Sequence, residues 1–488
     1  MIRNCSFKFI IIPQLDKYPK IVNFAQTIYG KIFFLMIFYL GTNLYVKVLN
    51  DSAPNLIIVN IILTLITFFP QYRKLLFSIG TIFSAFYYLP VFTELYMPRT
   101  TYYIMLILVF LFCISYTQLY YILRKKTKIK RPIFILYFTF SLFICILYYF
   151  KIKGYSLAYP WFFALTLAPY LIFISYSILD ISSGASNDLW YQVGWYKPFG
   201  QPFHWFPFHK GTCSLIKVEA KNKAQFAIVQ LKAVKLLYWG LFISIISKIY
   251  FHLNQWEINI ISEFIPFTLA DYFPIFPNLS STVNLPKSLG LNPLVMWYHI
   301  LSKPMAFFLI IAGNGHFFVS IIRMAGFNIY RNTYKPWAAL SIVDFFNRFY
   351  YYYKEVLVSL FFIPTFTRLI NSKNYRISLF ISAIITVFFG NAFLHLTHDV
   401  YYLNLYGFWG IIVMYKQLFL RYFACALLIA VSLIRKKRVN KIYRVKNFLN
   451  IVFIYILFSI INVWDLKNGL SLNDFMKLVL HLFGISLL

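Results

Sequence analysis

Between Asn292 and Leu405 ionisable side chains gather within otherwise apolar sequence: His299, Lys303, His316, Arg323, Asp344, Arg348, Lys354, Glu355, His395, His398 and Asp399. Placing such a group inside a membrane span costs several kcal/mol, so each is a functional hypothesis unless it lies in a loop or at a span end. The first half of the chain has nothing comparable. His395 follows eighteen uncharged residues, Ile377 to Leu394, in "ISLFISAIITVFFGNAFLHLTHD". A neutral imidazole can take a proton from a hydroxyl near neutral pH. Asn391, four residues earlier, shares the face of His395 if the stretch is helical. The competing reading is an interfacial histidine at a helix end. His398 and Asp399 read as a more ordinary polar helix end, and His398 stays open as the alternative base.

The rest of the chain must position these groups in a membrane. Of 488 residues, 60% are hydrophobic and only 12% charged. A soluble domain carries roughly a quarter charged residues. The composition excludes an ordinary globular enzyme, a disordered chain and a fibrous protein. It leaves an all-α polytopic membrane protein. A span needs about 20 apolar residues. By that rule the chain holds about 11 to 14 hydrophobic segments. They lie near 31–48, 55–71, 75–96, 103–122, 132–150, 157–179, 233–252, 293–325 (as two), 355–370, 377–395, 404–434 (as one or two), 449–463 and 471–488. Four regions follow: N-terminal spans over 1–179, polar loops around one span over 180–292, a polar-rich core over 293–434, and a basic loop with C-terminal spans over 435–488.

Forty-six Lys and Arg face 14 Asp and Glu, a net charge of +32. The basic residues sit in short loops between apolar runs, which excludes a separate nucleic-acid-binding domain and fits orientation by positive loops. The loop with Arg73 and Lys74, the run "RKKTKIKR" at 124–131 and the run "RKKRVNKIYRVK" at 435–446 are expected on the cytoplasmic side. So is the stretch 180–232, with its "WYQVGWYKPFGQPFHWFPFHKG". The polar stretch 253–292 is expected on the opposite side. Five cysteines, none in a CxxC pair, predict neither a disulfide framework nor a metal site. No cleaved signal peptide is read in the first 17 residues. No GxSxG elbow, P-loop, HExxH or GxGxxG occurs.

The stretch "AGFNIYRNTYKPWAALSIVDFFNRFYYYYKEVLVSLFFIPTF", from Ala325, resembles the central signature of the membrane-bound O-acyltransferase (MBOAT) family. The similarity is to the branch with alginate O-acetyltransferase and the teichoic-acid D-alanyl transfer protein. Gly326, Phe327, Asn332, Pro336, Ala339, Ser341, Asp344, Phe345 and Arg348 stand at matching places. Tyr330, Thr333, Trp337, Phe346 and Phe349 depart from the pattern. Tyr350 stands where the family commonly has a histidine. About 45 residues beyond Arg348 the family places its characteristic histidine, usually in L-W-H-G, and His395 is the matching position. Leu394 and Leu396 replace that Trp and Gly. The resemblance covers about 300–410; the first 290 residues match only in being multi-span.

The resemblance implies a ring of tilted helices around a central funnel with a histidine at its constriction. It implies acyl transfer, of acetyl in the simplest case, from a thioester donor on the cytoplasmic side to a hydroxyl of an envelope saccharide or lipid. The donor, acyl-CoA or an acyl carrier protein, is then a co-substrate; no bound cofactor, metal or nucleic acid is expected. His395 becomes the catalytic base, with Asn391, Tyr350, Asp344 and Arg348 binding substrate or supporting it. Asn391 would orient His395 or donate to the oxyanion. Asp344 and Arg348, four residues apart, would brace the pocket as a pair. A periplasmic or extracellular acyltransferase partner and a bacterial cytoplasmic membrane complete the expectation. The alternative is a non-catalytic transporter or flippase whose polar residues line a path. A third reading is a scaffold that kept the fold and lost catalysis, which the substitution at Tyr350 leaves open.

Overall fold

The computed structural model describes residues 13–49, 56–87, 98–126, 131–155, 157–184, 188–196, 210–255, 293–371, 374–398, 400–434, 444–462, 472–483 and 485. The chain starts with α1 (Pro19–Gln26), α2 (Ile28–Leu49), α3 (Ile57–Phe68) and α4 (Arg73–Tyr87). Next come α5 (Arg99–Lys126), α6 (Pro132–Ile152), α7 (Ala158–Leu167) and α8 (Leu171–Ser182). Two short helices, α9 (Leu189–Trp195) and α10 (Thr212–Val218), precede α11 (Lys223–Gln255). The polar-rich half holds α12 (Pro293–Met324), α13 (Ile342–Arg348), α14 (Tyr351–Leu357), α15 (Ile363–Leu369), α16 (Tyr375–Ile384), α17 (Asn391–His398) and α18 (Val400–Ile434). Last come α19 (Arg444–Asn462) and α20 (Leu472–Leu482). Among the described residues the β-structure is a single bridge between Glu219 and Phe327. The fold is all-α, as the composition predicts.

Six helical stretches are long and apolar enough to cross a membrane: Ile28–Val48, Thr100–Arg124, Pro132–Ile152, Ala158–Ser182, Lys223–Tyr250 and Tyr375–Thr397. A seventh is the bent pair Tyr402–Val413 and Leu418–Ile434, whose halves meet at 54°. Ile57–Phe68, Phe308–Met324 and Leu449–Ile460 are apolar but shorter. Of the 11 to 14 hydrophobic segments expected, these are the ones that form full or shorter apolar helices among the described residues; 75–96 and 471–488 run into residues outside them. The run 355–370 is divided among α14, a π-helical turn at Val358–Phe362 and α15. Conversely, 293–325 is one helix of 32 residues, where two segments were expected. Its polar Asn314 does not interrupt it, since Tyr45 Oη donates to Asn314 Oδ1 at 2.6 Å.

Burial separates the centre of the molecule from its rim. In Ala158–Ser182 67% of the span's most apolar stretch is buried, and in Lys223–Tyr250 61%, against 28% for Pro132–Ile152. The first two are thus central and the last faces outward. Hydroxyls inside the spans donate to the carbonyl one turn back, as Thr117 to Cys113 at 2.9 Å and Ser175 to Leu171 at 2.8 Å. In a medium without water that is how such a side chain is satisfied. The helices α11 and α12 form the most extensive contact of the fold. A Cβ on Gly240 would lie 3.2 Å from the Gly313 carbonyl, and one on Gly313 would lie 2.4 Å from Ser244 Oγ. Small residues let these two backbones approach closely, the usual means of packing helices in lipid.

At one end of the bundle Arg73 ties the two halves of the chain together. Its Nη2 lies 2.9 Å from Glu219 Oε1 and 3.0 Å from the Ala220 carbonyl, and its Nη1 reaches the Gly326 carbonyl at 3.2 Å. The guanidinium lies over the rings of Phe226 and Phe327. Nearby, Lys74 pairs with Asp188 and Arg124 Nη2 donates to the Ser182 carbonyl at 2.7 Å. These contacts bring the loops after α3, α5 and α8 to the same end. The basic pair at 73–74, read from the sequence as a topology signal, is therefore also a structural clasp.

Candidate functional site

The segment from Gly326 to Tyr350 delivers the site. Gly326 has φ +94°, a left-handed conformation that glycine adopts freely, and a Cβ there would meet Phe226 at 2.5 Å and Arg73 Nη1 at 2.6 Å. The chain then runs back along α12. Asn332 accepts Tyr351 N–H on its backbone carbonyl at 2.9 Å and Tyr352 N–H on Oδ1 at 3.3 Å. A buried asparagine thus fixes the start of α14.

Asp344 and Arg348 shape the turn before it. Ser341 caps α13 by accepting Asp344 N–H at 3.0 Å, and Asp344 Oδ2 accepts Leu340 N–H at 3.1 Å. This differs from a capping box in that Asp344 takes the N–H of the residue before the cap, not that of Ser341 itself. Asp344 Oδ1 then takes Arg348 Nε at 2.9 Å, and the Arg348 carbonyl accepts Tyr334 N–H at 2.8 Å. The pair expected from the four-residue spacing is present, and its described contacts brace the turn that leads to Tyr350.

Tyr350 precedes α14 in a left-handed conformation, φ +55°. A bulky residue there is strained and must be held by its surroundings. Its ring packs on Tyr353 at 5.2 Å. Tyr353 Oη in turn donates to Asn391 Oδ1, while Asn391 Nδ2 donates to the Val387 carbonyl. One turn on, the His395 ring lies 5.5 Å from Tyr422 and 6.5 Å from Tyr415, both on α18. The Tyr422 side chain also neighbours Tyr350 and Tyr353. His395 is half-buried and Asn391 buried. The structure therefore gathers Tyr350, Tyr353, Asn391, His395, Tyr415 and Tyr422 from three separate parts of the chain.

Two π-helical turns frame this cluster, Val358–Phe362 and Ile385–Gly390, and they pack on each other. Each inserts extra backbone into a helix, which rotates every later residue about the axis, and such turns recur at functional sites. The second ends immediately before Asn391. A Cβ on Gly390 would stand 3.0 Å from Phe361 and 3.1 Å from Leu357. The glycine lets the two π turns touch and so sets the direction of Asn391 and His395.

The remaining ionisable residues have other partners. Glu355 pairs with Lys210 and with Lys354. Burial weakens the proton affinity of the Lys210 ammonium, but its bonds to Glu355 and Tyr351 outweigh that and hold its pKa above the ordinary lysine range. Buried Arg323 gives Nε and Nη2 to the Ile329 carbonyl at 3.0 and 2.6 Å. Asp399 lies outside the described residues, as do the side chains of His299, Lys303 and His398. Most of the polar stretch 253–292 and of the 435–446 run also lies outside them.

Sequence reasoning passed over Tyr353, Tyr415 and Tyr422. In a chain with 40 tyrosines no single one stands out. The signal available was spacing: Tyr415 and Tyr422 are seven apart, so they share a helix face.

Fold and composition define an all-α integral membrane protein with a histidine–asparagine–tyrosine cluster in its C-terminal half. No protein-family model matches the chain, and no curated protein matches it.

Proposed function

We propose that the protein is a membrane-bound O-acyltransferase. It moves an acyl group, acetyl in the simplest case, from a thioester donor to a hydroxyl of a saccharide or lipid acceptor. The observation that carries this reading is the Tyr353–Asn391 hydrogen bond one helical turn from a half-buried His395. It anchors, at the end of a span, the helical turn that carries the histidine. The similarity of the 325–366 stretch and of His395 to the MBOAT signature points the same way.

In this mechanism His395 removes the proton of the acceptor hydroxyl as that oxygen attacks the thioester carbonyl. The tetrahedral intermediate collapses, the thiolate leaves, and the imidazolium returns the proton to it. Asn391 and the tyrosine hydroxyls position the reactants. Asp344 and Arg348 hold the turn that presents Tyr350. The donor arrives from the cytoplasmic side, where the positive loops place the Arg73 end of the bundle. A bacterial cytoplasmic membrane and a partner enzyme on its outer face belong to the same proposal.

Purified protein in liposomes, given radiolabelled acyl thioesters and hydroxyl acceptors, tests it. Label transferred to an acceptor, and lost with His395→Ala, supports the reading. Acceptor movement across the bilayer without label transfer would replace it by a transporter or flippase.

A further inference from the structure

The last turns of α12, the part of α11 around Lys235 and the returning segment 326–335 hold more positive charge than the described residues neutralise. Arg323 is 8% exposed, yet its described hydrogen bonds end on a neutral carbonyl, that of Ile329. Arg331 and Asp16 lie within electrostatic range of it, and Lys235 lies within range of all three and of Lys17. That is four cations against one carboxylate. Among the described residues none of Arg323, Arg331 and Lys235 makes an ion pair with a carboxylate. A buried guanidinium without a countercharge is costly, and the usual remedy is a paired anion.

Two orphaned polar atoms lie one to two helical turns deeper. Asn332 is 1% exposed and its Nδ2 has no hydrogen-bond partner; His316 is 6% exposed and its Nδ1 has none. The backbone places them close together. Ile329 stands level with Arg323, and Asn332 lies against Gly315, where an added Cβ would be 2.9 Å from Asn332 Nδ2. Three extended residues thus cover the same rise as eight helical ones, roughly 10–12 Å. Arg331 therefore sits between the level of Arg323 and that of His316. Native interiors rarely leave such donors unpaired.

We infer that this cluster binds a phosphate-type oxyanion, held by Arg323, Arg331 and Lys235 with Asn332 and His316 beside them. Guanidinium forks suit the oxygens of a phosphoryl group, and several cations within range of one another suit a multiply charged ligand. The group is either free phosphate or the phosphate of an anionic lipid. The inference does not depend on acyl transfer.

The test uses the full chain purified in a neutral maltoside with no phosphate in any buffer. Phosphorus is assayed per protein, and thermal unfolding is then followed with inorganic phosphate, with phosphatidic acid, with phosphatidylcholine, and with chloride at equal ionic strength. Either bound phosphorus near one per chain or a rise of about 3 °C or more over the chloride and phosphatidylcholine controls is expected. A rise with inorganic phosphate identifies the free ion, and a rise with phosphatidic acid alone identifies a headgroup. Arg331→Gln and Lys235→Gln, made singly, should each lower the retained phosphorus or the rise. No bound phosphorus together with no rise overturns the inference. So does an undiminished rise in both variants. If neither variant accumulates in the membrane, the wild-type phosphorus and unfolding measurements decide alone.

Discussion

The Tyr353 hydroxyl donates to Asn391 Oδ1, and through that bond α14 fixes the helical turn that carries His395. The arrangement makes Tyr353 a positioning residue for the proposed base. Tyr353→Phe keeps the ring and its packing on Tyr350 and deletes only the donor. A buried acceptor left without its donor costs about 1–3 kcal/mol. Transfer is expected to fall by roughly tenfold or more through kcat, with little change in KM or in protein amount. Steady-state kinetics of the two enzymes check this; an unchanged kcat would remove Tyr353 from the mechanism.

His395→Ala should abolish transfer while leaving protein in the membrane. A general base contributes roughly a hundredfold or more. Activity within about threefold of wild type would show that another group takes the proton, with His398 the next to test.

Gly390→Ala probes the π turns. The added methyl would press on the side chains of Phe361 and Leu357 at 3.0–3.1 Å, so one or both must give by a few tenths of an ångström. The direction of Asn391 and His395 would shift with them. A misplacement of about 1 Å at a reacting group can cost a hundredfold. Activity is expected to fall well before stability does, which paired turnover and unfolding measurements would reveal.

Arg73→Ala leaves the Glu219 carboxylate without its cation and removes two donors from backbone carbonyls. Breaking a fully buried pair from one side costs about 3–5 kcal/mol, and this one, whose carboxylate is 25% exposed, should cost less. The variant should unfold at clearly lower temperature, and Gly326→Ala should resemble it, because the new methyl would meet the same guanidinium. A thermal midpoint unchanged in Arg73→Ala would show that the clasp is not structural.

Much of this was legible before the structure. Low charge and long apolar runs fixed the all-α membrane class. The Asp344–Arg348 spacing implied their pair. The site was only half legible. His395 and Asn391 share a helix face by simple periodicity. That Tyr353 would meet Asn391 depends on the chain reversal at Tyr350 and on two π turns, and hydropathy carries no trace of either. Where single segments end was less legible: the run 355–370 is divided by a π turn, and the bend in α18 splits 404–434 into the two pieces the sequence left open. The role of Arg73 was hidden because its partners, Glu219 and Gly326, are far away in sequence.

Tyr350 joins both kinds of constraint, so its variants separate packing from chemistry. It occupies a left-handed conformation, φ +55°, beside Tyr353 and Tyr422. A phenol donates and accepts a hydrogen bond, but a pKa near 10 makes it a poor base at pH 7. Tyr350 is therefore expected to position an acceptor or acyl carbonyl, not to remove protons. Tyr350→Phe preserves the ring and should lower activity by roughly one to two powers of ten without destroying it. Tyr350→His should keep part of the activity, since an imidazole also offers a donor and an acceptor. Tyr350→Asn removes the ring but tolerates the left-handed backbone, which otherwise costs about 1–3 kcal/mol. It should retain the fold and lose the activity. A Tyr350→Phe enzyme indistinguishable from wild type would leave the residue as packing. A loss as complete as that of His395→Ala would move the chemistry from the histidine to the phenol.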